Sequence, residues 1–216
     1  MISMHIEVWS DIVCPFCYIG KKRLEEALEQ FSYKEDVKVE FRSFELNPQA
    51  PIHAEGDYVE LLAKKYNTTK EQIMTMNNQL TEQAKEVGLI YHLDQVKPTN
   101  TFDAHRLIHF AKNHGKENDM VVRLFDAYFT EVKQVADHST LIELAVEVGL
   151  NKQEVNEMLD STNYGDDVRK EEQDAKQIGV NGVPFFVINR KYAISGAQPT
   201  EVFLEVLEKV KQEDSE

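Results

Sequence analysis

The feature that most constrains this chain is Cys14-Pro15-Phe16-Cys17, which holds its only two cysteines where one periodicity gives way to another. Residues 4–10 alternate, with Met4, Ile6, Val8 and Ser10 on one side, and run into an apolar Ile12-Val13 pair, which predicts a strand. From Pro15 the spacing turns helical, and Ile19, Leu24, Ala27, Leu28 and Phe31 share one face to about residue 30. Pro15 suits the first helical position, where its missing N–H would be unpaired in any case. Residues 37–46 alternate again, with Val37, Val39, Phe41, Ser43 and Glu45 opposite Lys38, Glu40, Arg42 and Phe44. The first 46 residues therefore read as β-α-β.

Beyond the loop marked by Asn47-Pro48, Pro51 and Gly56, the pattern is helical throughout. A short helix carries Tyr58, Leu61, Leu62 and Lys65. A second is expected to start at a capping box of Thr68 and Glu71, to bury Ile73, Met76, Leu80, Ala84 and Val87, and to stop at Gly88. Helices follow over about 101–113, through Val121–Val132, and over about 140–148 and 152–160. A charged helix over about 164–178 ends at Gly179. Then come Val183-Pro184, a strand at 185–188, a turn at 189–191, a strand at 192–195 and a last apolar-faced helix. The tail 212–216 is acidic and expected to fray. The order β-α-β, helices, α-β-β-α predicts a thioredoxin-like α/β fold whose core, residues 1–46 and 163–216, is split by an all-helical insertion over 47–162. That order sets Cys14 and Val183-Pro184 at the two junctions such a fold brings together.

Composition narrows the function. With 24 basic against 38 acidic residues the formal charge is −14, and no cluster of Lys/Arg offers the basic face that phosphate binding needs, so no nucleic-acid partner is expected. No apolar run is long enough to span a bilayer, so no membrane partner is expected either. The N-terminal residues lack the basic start and apolar run of a signal peptide, so the expected compartment is the cytoplasm, where structural disulfides are rare. Two cysteines placed together in such a chain point to chemistry.

Thiols at this spacing on a helix start lie within one turn of each other. Cys14, near the N-cap, meets free N–H groups and the positive end of the helix dipole, a setting that favours a thiolate. It is expected to be exposed and to act as the attacking sulfur, with Cys17, one turn in and more buried, resolving the mixed disulfide. The competing reading is half a zinc site, but tetrahedral zinc needs four ligands and no second Cys-x-x-Cys exists. Val183-Pro184 adds a candidate cis peptide bond that would leave the Val183 backbone edge free for an extended substrate; the alternative is an ordinary turn proline.

CPFC after an N-terminal strand, GVNGVPFFVIN, ISGAQP and the insertion segment TNTFDAHRLIHFA together resemble the DsbA family of thiol–disulfide oxidoreductases, most closely its cytoplasmic FrnE-like branch. The resemblance spans essentially the whole chain. It implies Cys14 as nucleophile, Cys17 as resolving thiol and Val183-Pro184 as the cis-proline loop, with Pro15 and Phe16 between the thiols. It implies no cofactor beyond the cysteine pair, with glutathione or another low-molecular-weight thiol as a candidate redox partner. Protein or small-molecule thiols and disulfides are the expected partners, and a homodimer is left open.

This chain departs from the family pattern at three places. Phe16 stands where periplasmic DsbA has histidine, which argues for a less oxidising pair, nearer thioredoxin than DsbA. Val8 stands where DsbA and thioredoxin carry a buried acid. Asp11 is the nearest carboxylate, either a proton relay for Cys17 or a loop residue bonded to backbone amides, and Glu7 is expected to point outward. The sister branch, 2-hydroxychromene-2-carboxylate isomerases and kappa-class glutathione transferases, has serine where this chain has Cys14, and an acid where it reads Ser195-Gly196-Ala197. Both differences favour disulfide exchange over the alternative, a thiol-dependent isomerase or transferase. His105 and His109, at i and i+4, lack the glutamate of HExxH and read as helix-face or pocket-lining residues. Asn100 and Thr101 begin the same helix as N-cap candidates, and Asn100 could also overlook the cysteines and help bind substrate. Trp9 and Phe44 read as core, and Tyr18 as either groove-lining or packing.

Overall fold

The computed structural model describes residues 4–53 and 56–213. The elements are β1 (Met4–Ser10), α1 (Pro15–Gln30), β2 (Val37–Ser43), α2 (Tyr58–Lys65), α3 (Lys70–Glu86), α4 (Phe102–Asn113), α5 (Glu117–Phe129), α6 (His138–Glu147), α7 (Lys152–Leu159), α8 (Gly165–Gln177), β3 (Phe185–Ile188), β4 (Tyr192–Ser195) and α9 (Thr200–Glu213). The strands form one mixed sheet of order β2-β1-β3-β4. β1 runs parallel to β2, as a helical crossover requires, and antiparallel to β3, with Val8 opposite both Phe41 and Phe186. β3 and β4 form a hairpin whose turn holds Asn189 and Arg190 at φ 50° and 53°. This is a thioredoxin-like α/β fold. The last two residues of α9 lie in the segment expected to fray, and 214–216 lie outside the described residues.

Alternation along β1 divides the two faces. Met4, Ile6 and Val8 enter a hydrophobic core that continues from Phe186 and Phe203 through Leu107, Leu124 and Phe125 to Leu144, so the sheet and the inserted helices share one apolar interior. Trp9, on the other face, packs with Ala175, Val180 and Val187, and its Nε1 donates to the Glu171 carbonyl at 3.1 Å. Phe44 packs beside it. α8 therefore covers the face opposite α1 and α9. Tyr18 stacks on Phe125 at 4.7 Å and donates to Asp126 at 2.8 Å, so it packs α1 against α5.

Three local expectations are corrected. β2 ends at Ser43, not at residue 46, because side chains take over its backbone donors: Ser43 N–H donates to Glu171, Glu45 N–H to Glu172 and Leu46 N–H to Asp11. The capping box of α3 is Thr69 with Gln72, one residue later than expected, since Gln72 reaches back to the Thr69 N–H as readily as a glutamate would. Glu7 is 3 % exposed and does not reach solvent. It lies under α8, where Arg42 and Arg190 pair with it, and Arg190 also pairs with Asp174.

One close approach governs how α1 lies on the sheet. A Cβ added at Gly20 would stand 3.1 Å from Pro184 Cγ, 3.2 Å from Phe186 Cζ and 3.4 Å from Ala197 Cβ. Glycine in a helix interior costs roughly 0.5–1 kcal/mol relative to alanine, and here it admits the β3 entry loop against the helix. Arg23 Nη1 reinforces the contact by donating to the Ala197 carbonyl at 2.6 Å. Gly20→Val is expected to destabilise the fold by about 1–3 kcal/mol through overpacking, read as a lowered denaturation midpoint in urea.

Candidate active site

The β1–α1 junction is built by its backbone. Cys14 N–H donates to the Asp11 carbonyl at 3.1 Å, and Cys17 N–H to the Cys14 carbonyl at 3.0 Å, closing one turn into the helix. Cys14 occupies the N-cap with extended φ/ψ and no side-chain cap, and Pro15 takes the first helical position. The Cys14 sulfur is thus left free of capping duty at the helix end. Its thiol donates instead to the Val183 carbonyl at 3.5 Å. The Val183–Pro184 peptide bond is cis, and Gly196 N–H holds the Pro184 carbonyl at 2.9 Å. The two junctions far apart in sequence meet here.

Cys14 is 4 % exposed, against the expectation of an exposed thiol. The Val183 loop closes one side, and Tyr58 of α2 and Tyr91 of the α3–α4 connection lie near enough for the charge of Cys14 to bear on them. Both phenols are pushed well up, by burial first; the Cys14 charge comes next for Tyr91, whereas for Tyr58 the neighbouring Tyr66 precedes it. Tyr91 Oη donates to the Pro15 carbonyl at 2.8 Å, tying the insertion to the first turn of α1. Phe16, 40 % exposed, is the member of the motif that faces solvent.

Cys17 is 2 % exposed. Burial drives its thiol well above the usual range, and the hydrogen bond and charge of Cys14 push the same way. The side chain of Ser10 and the backbone of Asp11 favour its thiolate and only partly offset this. Both cysteines are free thiols in contact with each other, one at the helix cap and one behind it.

The Asp11 carboxylate is occupied away from Cys17. Oδ2 accepts from Leu46 N–H at 2.7 Å, the backbone-amide role open to it in the sequence, and Oδ1 lies 3.3 Å from His105 Nε2. Burial would lower the His105 pKa, but the hydrogen bond and charge of Asp11, with Glu45 and Glu172 nearby, raise it above its ordinary value. His105 is thus a buried partner of Asp11 beneath the cysteine loop, a pairing that helical spacing alone could not reveal. His109 faces Ser43 Oγ and Glu171 Oε2, each at 3.1 Å. Among the described residues no group of three or more His, Cys, Asp or Glu side chains could hold a metal ion.

Asn100 is not brought to the cysteines. Its Oδ1 accepts from Phe102 N–H at 2.9 Å at the start of α4, while its Nδ2 donates to the Ala50 carbonyl at 3.2 Å and its N–H to the Pro51 carbonyl at 3.1 Å. It staples the loop after β2, whereas Thr101 occupies the N-cap without a side-chain bond. Sequence reasoning passed over Ser10 and Gly20. Ser10 carried a signal, a polar residue on the inward row of β1, and Gly20 carried one in being a glycine inside a helix.

Two free thiols at a helix cap, one of them against the carbonyl before a proline, thus stand on a thioredoxin-like core. Residues 5–208 match the DSBA-like thioredoxin domain, and the chain belongs to that family. It is 31% identical over 204 residues to the uncharacterized protein YwbO of Bacillus subtilis strain 168, covering 94% of each chain. Among solved structures it is similar to the probable DsbA oxidoreductase SCO1869 of Streptomyces coelicolor, with 40% identity, TM-score 0.93, and 97% and 91% of the two chains covered. It shares its fold with the cytosolic disulfide reductase DsbM of Pseudomonas aeruginosa solved with GSH, at 21% identity, TM-score 0.63, and 96% and 99% coverage. These neighbours are consistent with the FrnE-like branch of the family.

The contrast between the thiols predicts their reactivity. In a Cys14→Ser variant, Cys17 should resist iodoacetamide at neutral pH and react only as the pH rises well into the alkaline range, because burial remains after Cys14 is gone. Alkylation rates followed by mass against pH check this; a Cys17 that reacts at neutral pH as fast as a free thiol would contradict it.

Proposed function

We propose that this chain catalyses thiol–disulfide exchange through Cys14 and Cys17. In the reducing direction the Cys14 thiolate attacks a substrate disulfide, forming a mixed disulfide and releasing one substrate thiolate. The Cys17 thiolate then attacks the Cys14 sulfur, closing the internal disulfide and releasing the second substrate thiolate. The substrate gains the two electrons that the cysteine pair loses. The reverse sequence oxidises a dithiol. The observation that carries this reading is the Cys14 thiol against the Val183 carbonyl with the Cys17 thiol buried directly behind it. The helix sets the attacking sulfur at its cap and the resolving sulfur one turn in.

In this reading the Val183–Pro184 loop presents a backbone edge to an extended substrate. Pro15 fixes the helix start, Phe16 offers an apolar contact at the rim, and Asp11, with His105, holds the junction that carries Cys14. Asn100 supports the site through the loop after β2. The uncharged Phe16 places the couple toward the reducing end, to be set against a cytosolic glutathione poise of about −220 to −320 mV. Among the described residues no helix is long and apolar enough to cross a membrane. We place the protein in the cytoplasm, with protein or small-molecule disulfides as substrates and glutathione or another small thiol as redox partner. The solved complex of DsbM with GSH supports that partner class.

Equilibration in graded glutathione buffers, followed by thiol trapping and mass analysis, tests the reading. A reversible internal Cys14–Cys17 disulfide is expected, and Cys14→Ser should abolish turnover of a disulfide substrate. Unimpaired exchange in that variant would sink the mechanism. A persistent glutathione adduct with no internal disulfide would instead favour a thiol-dependent isomerase or transferase on the same fold.

A further inference from the structure

Resolution by Cys17 requires a buried thiol to lose a proton, and the nearest carboxylate, that of Asp11, is bonded to Leu46 N–H and His105. Another polar route leads away from the thiol. Ser10, beside Cys17, is 5 % exposed, and its hydroxyl has no hydrogen-bond partner of normal geometry. It lines a small internal cavity between β1, β2, α4 and α5, together with Phe41, Ser43, His105, His109 and Glu117. The cavity accommodates the centre of a water molecule over about 10 Å³, close to what one ordered water needs, and its wall carries the several polar partners a buried water uses. Across it, Glu117 Oε1 is likewise buried without a hydrogen bond, its ion-pair partner Lys112 Nζ standing at 3.7 Å. Arg42 and His109 line both this cavity and an open cleft of about 640 Å³ along α8.

We propose that Ser10, a water held in this cavity and the Glu117 carboxylate form the exit path for the Cys17 proton. This rests on the thiol–disulfide exchange reading. In the resolving step the Cys17 proton passes to the Ser10 oxygen as the Ser10 proton passes to the water, and a water proton passes to Glu117. Cys17 is left as the thiolate that attacks Cys14, and the Sγ–Sγ bond forms as the bond to substrate breaks. Glu117, whose side chain is 16 % exposed, then returns the proton to solvent. Burial raises the Glu117 carboxyl above its usual range, helped by Glu40 and Glu171 and opposed by Lys112 and the Phe41 backbone, which makes it a better base. The other charged or titratable groups around the cavity are His105 and His109 on α4 and Arg42 on β2. Ser10 meets the reacting thiol directly, whereas Glu117 acts on it through the water and Ser10.

The test uses the full reduced chain, with oxidised glutathione as the probe. Quenched samples are resolved by mass into glutathione adduct and internal disulfide across a pH series, for the wild type, Glu117→Gln, Ser10→Ala and Ser10→Thr. In Glu117→Gln and Ser10→Ala the ratio of adduct resolution to adduct formation is expected to fall roughly tenfold or more at neutral pH. Resolution should also become dependent on hydroxide, and Ser10→Thr, which keeps the hydroxyl, should retain the wild-type profile. Glu117→Gln preserves size and shape, and its urea denaturation midpoint, measured beside the wild type's, separates a folding defect from loss of the route. An unchanged ratio and pH profile in Glu117→Gln, with the wild type cycling normally, overturns the route and leaves the exchange reading standing. A wild-type chain that forms neither adduct nor disulfide overturns both.

Discussion

The site depends on how closely α1 can lie against the loop that enters β3. Without a side chain at Gly20 the helix admits Pro184 and Phe186 at van der Waals distance, and Arg23 locks the same surface to the Ala197 carbonyl. Pro184 is in turn held by Gly196 N–H. The consequence appears at the start of the same helix, where the Cys14 thiol meets the Val183 carbonyl. A residue two atoms larger at position 20 would move the two halves of the site apart, although it touches neither sulfur.

The second organising constraint is the treatment of buried charge. Glu7, Glu40, Glu45 and Glu171 are nearly or wholly buried, and each is matched by a cation: Arg42 and Arg190 for Glu7, Lys112 for Glu40, Arg169 for Glu45, and Arg42 for Glu171, which His109 Nε2 also meets. Burial opposes ionisation of Glu171, but His109, the Ser43 amide and Arg42 outweigh it and hold that carboxyl at about 2. These pairs fasten α4 and α8 to β2, which among the described residues is an edge strand. The inserted helices and the sheet are thereby joined by charge as well as by a shared apolar core. The cavity behind Cys17 sits along this seam.

The fold was legible because it rests on local periodicity. The alternation of Met4, Ile6 and Val8, the helical face from Ile19 to Phe31 and the β-hairpin after Pro184 all report short-range geometry. The cysteine spacing placed the chemistry at a helix start for the same reason. The errors arose where distant side chains intervene. β2 stops early because Glu171, Glu172 and Asp11 capture its donors, and Glu7, on the face opposite Ile6 and Val8 as alternation placed it, is buried because α8 and two arginines distant in sequence cover that face.

What the sequence determined by itself, then, is the order of elements, the two thiols at the first strand-to-helix junction, and the family, because these are encoded within a few residues of where they act. What only the tertiary structure decided is which groups surround those thiols. The Cys14 thiol meets the Val183 carbonyl because the β3 entry loop is brought to it from 169 positions away, and Asp11 is bonded to His105 because α4 carries that histidine to the cysteine loop. Ser10 lines a cavity because β1, β2, α4 and α5 converge there without filling it. Such contacts join residues tens of positions apart, and no local pattern carries them, since each depends on how whole elements pack.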